Sequence, residues 1–548
     1  MRSGRRLRRR PLGTCKRRER TTAHLRLFDA NGSFGNPATS APDCATAAVR
    51  LAHMDRLGIA RSLVWNVEAT QGNPLAANRR LLDEIAHTPG AAGRLVPELV
   101  VSGLIAYEGD GIERFAAQMK EGRTRALRFV NVGSRLTLGQ CAPVVQAVRH
   151  LKPFILVKWG ETPAADIVDF AALFPDVPLI LTDLIWVCGI GAFDAMRQRP
   201  NVLMETSWWH TWEGVAHAVK HFGAERVLFG TGYRCHNSAA IAALARAEIT
   251  QEQRELIAHG NLDRLTGSAT EERAAARPSG DRLWQRCLAG EPLGVDTLDA
   301  HGHLGPSAGY VLENQDERAQ IPAVLRVMDK VGESMMIFSG LQALHGSPAE
   351  GNDLVRELIK PHAGRFAMYA AFNPIYAADL LPRLDGWFAD PQVVGFKLLC
   401  GYWRVPVTDP RFEPMWEYAD RHRLPVLMHS WSGDMDSPAM ARGIVGRHRN
   451  LSLLLGHSGG GDDGRAEAEA MAVEFPNVFL ETCGSFCTTR RWEDTLKAVP
   501  VSKVVYGTDA AAHDIHWELG RILSLDVSEE VLVPILGQNM RRILARRQ

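Results

Sequence analysis

The chain is written twice, and no other feature constrains its fold as tightly. Residues 27–35 (LFDANGSFG) line up with 298–305 (LDAHGHLG), and 54–58 (MDRLG) with 328–332 (MDKVG). The correspondence continues through 154–158 (FILVK) and 425–429 (PVLMH), 179–183 (LILTD) and 453–457 (LLLGH), and 203–206 (LMET) and 479–482 (FLET). It closes with 227–232 (VLFGTG) against 504–509 (VVYGTD) and 261–265 (NLDRL) against 539–543 (NMRRI). Most of these pairs are short apolar runs separated by helix-length polar segments, which is how the strands of a parallel α/β sheet or barrel read. Each copy is about 250 residues, the usual length of one (β/α)8 barrel. The fold class is therefore α/β, as two tandem (β/α)8 TIM barrels. The expected division is a basic tail over 1–22, a first barrel over 23–267, a linker over 268–294 and a second barrel over 295–548. The polar run SATEERAAARPSG marks the linker and ends in a helix breaker, and 281–288 is expected to form a short amphipathic helix laid over the second barrel.

In the second copy the apolar runs end in donor groups. His301 and His303 stand at i, i+2, which in an extended strand puts both imidazoles on one side. Two such rings make half of a zinc-type site. His429, His457 and Asp509 close three later runs, and the buried-type run VVGFKLL carries Lys397 inside it. Barrel chemistry sits at the C-terminal strand ends, where these residues fall.

Taken together, HGH at 301–303, His429 in LMHSWSGD, His457 in LLLGHSGGG and Asp509 in YGTDA resemble the amidohydrolase-related family, in the branch of aminocarboxymuconate-semialdehyde decarboxylase. The motifs occur in the family's order and span nearly all of 295–545. The resemblance implies one divalent metal, Zn2+ by preference, held by His301, His303, His429 and Asp509 with water in an open position. It implies His457 as the acid/base group beside that water, the alternatives being a further ligand or a core histidine, and Asp509 as ligand and proton shuttle. It also implies that the two barrels form an intrachain pseudo-dimer, the first standing in for a partner subunit. HSWSGD departs from the His-Pro-Trp type of the decarboxylases, which weakens transfer of their substrate.

The first copy offers something else at every one of these positions. Asn31 and Ser33 replace the paired histidines, Lys158 replaces His429, Asp183 replaces His457 and Gly232 replaces Asp509. An ammonium at a ligand position repels a cation, so the first barrel is expected to be metal-free. Lys158, paired with Asp183, is the expected replacement for the missing charge, unless both are solvated.

Other residues carry softer expectations. Lys397, matched by Arg128 in the first copy, reads as a cation for packing or charge balance in preference to a carboxylated bridge between two metals. Trp431 is placed for a pocket wall or is plain core, and Arg404, Arg490 and Arg491 are candidates for a substrate carboxylate, the alternative for each being a solvated surface charge. Glu481 is shared with Glu205, which points to a structural role; Cys483 reads as packing, and His513 and His516 have no assignment.

Composition excludes little else. The chain of 548 residues has a formal net charge of +1, yet its first twenty residues hold ten Lys or Arg and one Glu, leaving an acidic remainder without general nucleic-acid character. That segment reads as a disordered tail or an extension from an upstream start codon. No run of about twenty apolar residues suggests a membrane span. The nine cysteines are scattered without a disulfide framework, which fits a reducing cytoplasm. The expected function is metal-dependent hydrolysis of a small, carboxylate-bearing substrate. Non-oxidative decarboxylation of an aromatic or unsaturated acid is the alternative, and a non-catalytic scaffold the third reading.

Overall fold

The computed structural model describes residues 25–38, 41–131, 136–185, 189–232, 238–268, 282–306, 316–484 and 489–548. The expected basic tail, and residues 269–281 of the expected linker, lie outside these.

Each copy folds as a parallel barrel. In the first, β1 (Leu27–Phe34), β2 (Ile59–Asn66) and β3 (Leu95–Pro97) form one run, and β4 (Leu99–Val101), β5 (Ala126–Phe129), β6 (Phe154–Lys158), β7 (Leu179–Thr182), β8 (Val202–Glu205) and β9 (Val227–Leu228) form another. The two runs join at Glu98, whose N–H donates to Val64 O at 2.8 Å, so β3 and β4 act as one strand interrupted at that residue. Ala30 N donating to Phe229 O at 2.9 Å closes the ring. The second barrel has eight strands in sequence order: β10 (Leu298–Leu304), β11 (Met335–Gly340), β12 (Phe366–Ala371), β13 (Val393–Leu398), β14 (Pro425–His429), β15 (Ser452–Gly456), β16 (Val478–Glu481) and β17 (Val504–Val505). It closes by Ala300 N donating to Tyr506 O at 2.9 Å.

Alternate strand residues fill each barrel. Phe28, Ala30, Leu63, Leu156, Ile180 and Leu228 pack together in the first, and Leu298, Ala300, Ile337, Val394, Leu427 and Leu454 in the second. Both first strands then change parity. A register shift falls between Asp29 and Gly32 in β1 and between Asp299 and Gly302 in β10. Such an irregularity re-aims the residues beyond it, so Asn31 and His301 turn inward directly after the inward Ala30 and Ala300.

One carboxylate ties the first strand to the last in each copy. Asp29 Oδ1 accepts from the N–H groups of Thr231 at 2.8 Å and Asn31 at 2.9 Å, and Asp299 Oδ1 does the same for Thr508 at 3.1 Å and His301 at 2.9 Å. Asp29 is neutralised by Arg50, buried beside it. Among the described residues no such partner faces Asp299, and burial pushes its carboxyl up to about 8. The like endings have a shared cause as well: the Asn261 amide donates to Ala224 O and Val227 O, and the Asn539 amide to Val501 O and Val504 O.

The barrels meet through equivalent elements. Helix Ser238–Arg246, which follows the last strand of the first barrel, packs on helix Ile515–Leu523, which follows the last strand of the second. Gly520 permits the approach: a Cβ there would lie 2.6 Å from Ala242 Cβ. Helix Arg282–Leu288 forms as expected but in a different place. It packs against both members of this pair, with Trp284 buried and Arg246 Nη1 donating to Cys287 O at 3.1 Å, because its apolar face fits the seam between barrels. No helix among the described residues is long and apolar enough to cross a membrane.

Candidate metal centre

Five of the expected site residues converge at the mouth of the second barrel. His303 Nε2 lies 2.8 Å and His301 Nε2 3.6 Å from Asp509 Oδ1. Donors bound tetrahedrally to one zinc stand about 3.4 Å apart, so this spacing fits a single ion. Ligand atoms of the three residues all lie within 4.8 Å of one another. The His457 ring centroid is 5.2 Å from that of His301 and 4.9 Å from that of His429, which places both histidines at the same centre.

The second ring nitrogens are already engaged, which selects the atoms left for a cation. His301 Nδ1 donates to Glu481 Oε2 at 3.1 Å, His429 Nδ1 to Asp436 Oδ2 at 2.9 Å, and His303 Nδ1 meets Ser339 Oγ at 2.9 Å. Each arrangement leaves Nε2 as the remaining donor position. Burial holds His301, His303 and His457 below the ordinary histidine range, with Lys397 adding to the effect at His301 and His429 at His457. Neutral imidazole is the form that binds a metal. Burial pushes Asp509 up, but His301, His513 and His303 outweigh it and keep the carboxylate ionised.

Lys397 lies closer than a mere charge-balancing role implies. Its Nζ donates to His301 Nε2 at 2.6 Å, and burial lowers its ammonium from the usual lysine range. That imidazole lone pair serves either Lys397 or a metal. Cys483, expected to be packing, is a correction: Sγ lies 3.3 Å from His301 Nδ1, 3.5 Å from His457 Nδ1 and 3.1 Å from Glu481 Oε2, inside the centre. Cys487 is outside the described residues. Glu481 has the structural role expected of it, since it accepts the N–H groups of His457 at 3.1 Å and Cys483 at 2.7 Å. It also fixes the His301 tautomer, which Glu205 has no histidine to do.

The wall and rim residues divide. Trp431 stacks on His429 at 6.1 Å and 14°, and Tyr402 meets the same ring edge-on at 5.5 Å. Arg404 is exposed on the connection after β13, on the mouth face, and its guanidinium makes no hydrogen bond or ion pair among the described residues. Arg490 and Arg491 belong elsewhere: Arg490 donates to Pro42 O at 3.2 Å and Arg491 pairs with Glu469 at 2.8 Å. No motif spacing marks Asp436 or Tyr402 in the sequence, and His513, unassigned there, lies beside Asp509.

In the first barrel the corresponding spot is filled by a side-chain network. Asn31 Nδ2 donates to Glu205 Oε1 at 3.0 Å and Asp183 Oδ2 at 3.3 Å, while Arg128 Nη2 donates to Asn31 Oδ1 at 2.8 Å and Nε to Glu98 Oε1 at 2.9 Å. Arg128 is therefore the cation of this mouth. Lys158 is not: its Nζ pairs with Glu161 at 2.6 Å, since the side chain at the end of β6 points toward the half-exposed edge. Ser33 is buried at the rim of this mouth. The backbone outlived the ligands, for Asp183 at φ 55° and Gly232 at φ 91° keep the left-handed conformations of His457 at φ 62° and Asp509 at φ 61°.

The family model for Amidohydrolase matches residues 23–265 and again residues 298–546. The chain belongs to the amidohydrolase family, in both halves. No curated protein sequence matches it. Solved structures similar to it include 2,6-dihydroxybenzoate decarboxylase from Rhizobium, at 18% identity and a TM-score of 0.36, covering 46% of this chain and 99% of that one. Another is dihydroxybenzoic acid decarboxylase from Polaromonas sp. JS666 with bound manganese and 2-nitroresorcinol, at 17% identity and 0.37, covering 46% and 97%. A third is 4-oxalomesaconate hydratase from Rhodopseudomonas palustris, at 16% identity and 0.35, covering 46% and 96%.

Proposed function

We propose that the second barrel is a mononuclear divalent-metal hydrolase acting on a small, carboxylate-bearing molecule, with zinc the preferred ion. The observation that carries this reading is the convergence of His301 Nε2, His303 Nε2 and Asp509 Oδ1 beside a buried, neutral His457. His429, with Nδ1 tied to Asp436, completes the set through Nε2. A bound dication supplies Lewis acidity and an acidified water at such a site. The chain supplies the rest. His457, kept neutral by burial, takes a proton and returns it to the leaving group. Glu481, Asp436 and Ser339 hold the three ligand rings in orientation. Trp431 and Tyr402 flank His429 as walls, and Arg404 offers a planar fork to a substrate carboxylate.

One feature favours decarboxylation as the second reading: the Lys397 ammonium, 2.6 Å from His301, is a proton donor of the kind that protonation at carbon requires. The test is product analysis with zinc-replete protein over a panel of esters, amides, lactones and unsaturated or aromatic acids. Hydrolysis products, lost in His457→Gln by about 10²–10⁴-fold, are expected. Release of CO2 establishes the second reading, and a chain that takes up no metal establishes the scaffold.

A further inference from the structure

We infer that the metal-free barrel positions the metal centre of its neighbour, and that His210 is the residue through which it does so. The inference rests on the metal-centre reading above and extends it to a residue 91 positions before the first ligand.

Asp509 stands on a segment with no strand of its own, in a left-handed backbone that is costly for a residue with a side chain. Its own barrel anchors one end: Asp509 N donates to His301 O at 2.7 Å, and His513 N donates to Asp509 O at 3.0 Å. The other barrel anchors the far end. Residues 207–213, which follow β8, pair with this segment through an antiparallel bridge between Thr211 and His513. Asp514 N donates to His210 O at 2.7 Å, and Glu213 N donates back to Asp514 Oδ2 at 2.8 Å.

Side chains extend the clamp toward the ligand. The His210 ring meets His513 edge-on, with centroids 4.4 Å apart at 71°, and packs on Trp517 at 5.0 Å. His513 is thereby held between two carboxylates, with Nδ1 3.1 Å from Glu518 Oε1 and Nε2 3.8 Å from Asp509 Oδ2. Glu518 Oε1 also accepts Gly484 N at 3.1 Å, next to Cys483. No slack remains around His513: a Cβ on Gly484 would lie 2.9 Å from its Cε1 and 2.8 Å from His457 Nδ1. His210 is 4% exposed, and neither of its ring nitrogens has a hydrogen-bond partner among the described residues. A buried imidazole left without partners is a poor choice for cohesion alone. Its aromatic edge fixes the His513 ring, and that ring fixes which way the Asp509 carboxylate faces.

Zinc affinity of the full-length chain, measured by competition with a chromophoric chelator, tests this without reference to turnover. His210→Ala is expected to weaken zinc binding about 10- to 100-fold, as loss of outer support around a ligand does. His210→Phe, which keeps the ring edge, is expected to restore it. His210→Leu fills the volume without that edge and is expected to show the same loss, which keeps the test intact if the alanine variant unfolds. Because the effect runs through His513, adding His210→Ala to His513→Ala should weaken binding no further than His513→Ala alone. Affinity within twofold of wild type in both His210→Ala and His210→Leu overturns the inference, as does full additivity of the two alanine changes. A wild-type chain that takes up no zinc overturns the metal-centre reading instead.

Discussion

Arg128 in the first barrel places Nη2 2.8 Å from Asn31 Oδ1, and in the second barrel the corresponding pair is Lys397 Nζ, 2.6 Å from His301 Nε2. Both mouths set a cation against the residue at the head of the HxH position. Only the first has turned that contact into a closed network with Glu98, Asp183 and Glu205. Arg128→Ala leaves Glu98 buried without its partner, and removing one member of a buried pair costs about 3–5 kcal/mol. Urea unfolding should show that loss in the first barrel, while zinc affinity of the chain stays as in wild type.

Restoring one ligand should not restore a site. Asn31→His keeps Arg128 beside the new ring and meets Gly232 where Asp509 would be needed. Metal analysis of this variant should give the same stoichiometry as wild type.

Glu481 and Glu205 occupy equivalent strand ends, but only Glu481 touches a histidine. Glu481→Gln takes the carboxylate from His301 Nδ1 while keeping the shape. Loss of the carboxylate that orients a ligand ring lowers metal affinity about 10- to 100-fold. Glu205→Gln should leave it unchanged, and chelator competition on the two variants reads the difference.

Cys483 sits where the first barrel has Ser207, whose hydroxyl donates to Glu205 at 2.6 Å. Cys483→Ser should therefore be accepted, with its hydroxyl turned to Glu481. Zinc per chain should be unchanged, and thermal unfolding should shift by only a few degrees.

His516 is buried with Nδ1 unpaired among the described residues, and burial, followed by Arg246 and Lys330, holds it well below the ordinary histidine range. Above about pH 6.5 the folded and unfolded states are both neutral there, and the group leaves stability unaffected. As pH falls below 6.5 the unfolded chain binds a proton that the folded chain does not. Stability then drops by about 1.4 kcal/mol per pH unit. Between pH 7 and pH 5, metal-free His516→Phe should lose less stability than wild type in denaturant titrations.

Much of this is legible in the sequence alone. The repeat implies two barrels because strand-length apolar runs recur in order, and His301, His303, His429, His457 and Asp509 converge at one mouth. What was illegible shares a physical cause: side-chain direction is not written in spacing. Lys158 aligns with His429, yet it turns to Glu161, and Arg128 on the neighbouring strand reaches the centre instead. The parity change after Asp299 comes from a register shift that alternation alone would place wrongly. Cys483 looked like packing because no second cysteine pair accompanied it, whereas its neighbours come from β10 and the end of β15. His210 belongs to a loop without a motif, and its meaning depends on a contact between barrels about 300 residues apart in sequence.

The central claim is that one barrel grips a dication while its twin does not. Elemental analysis of zinc-replete, gel-filtered protein, counted per chain, tests it most directly. The account predicts one ion in wild type, none in His301→Ala, and one in Asn31→Ala. Two ions per wild-type chain, or one retained in His301→Ala, would contradict it.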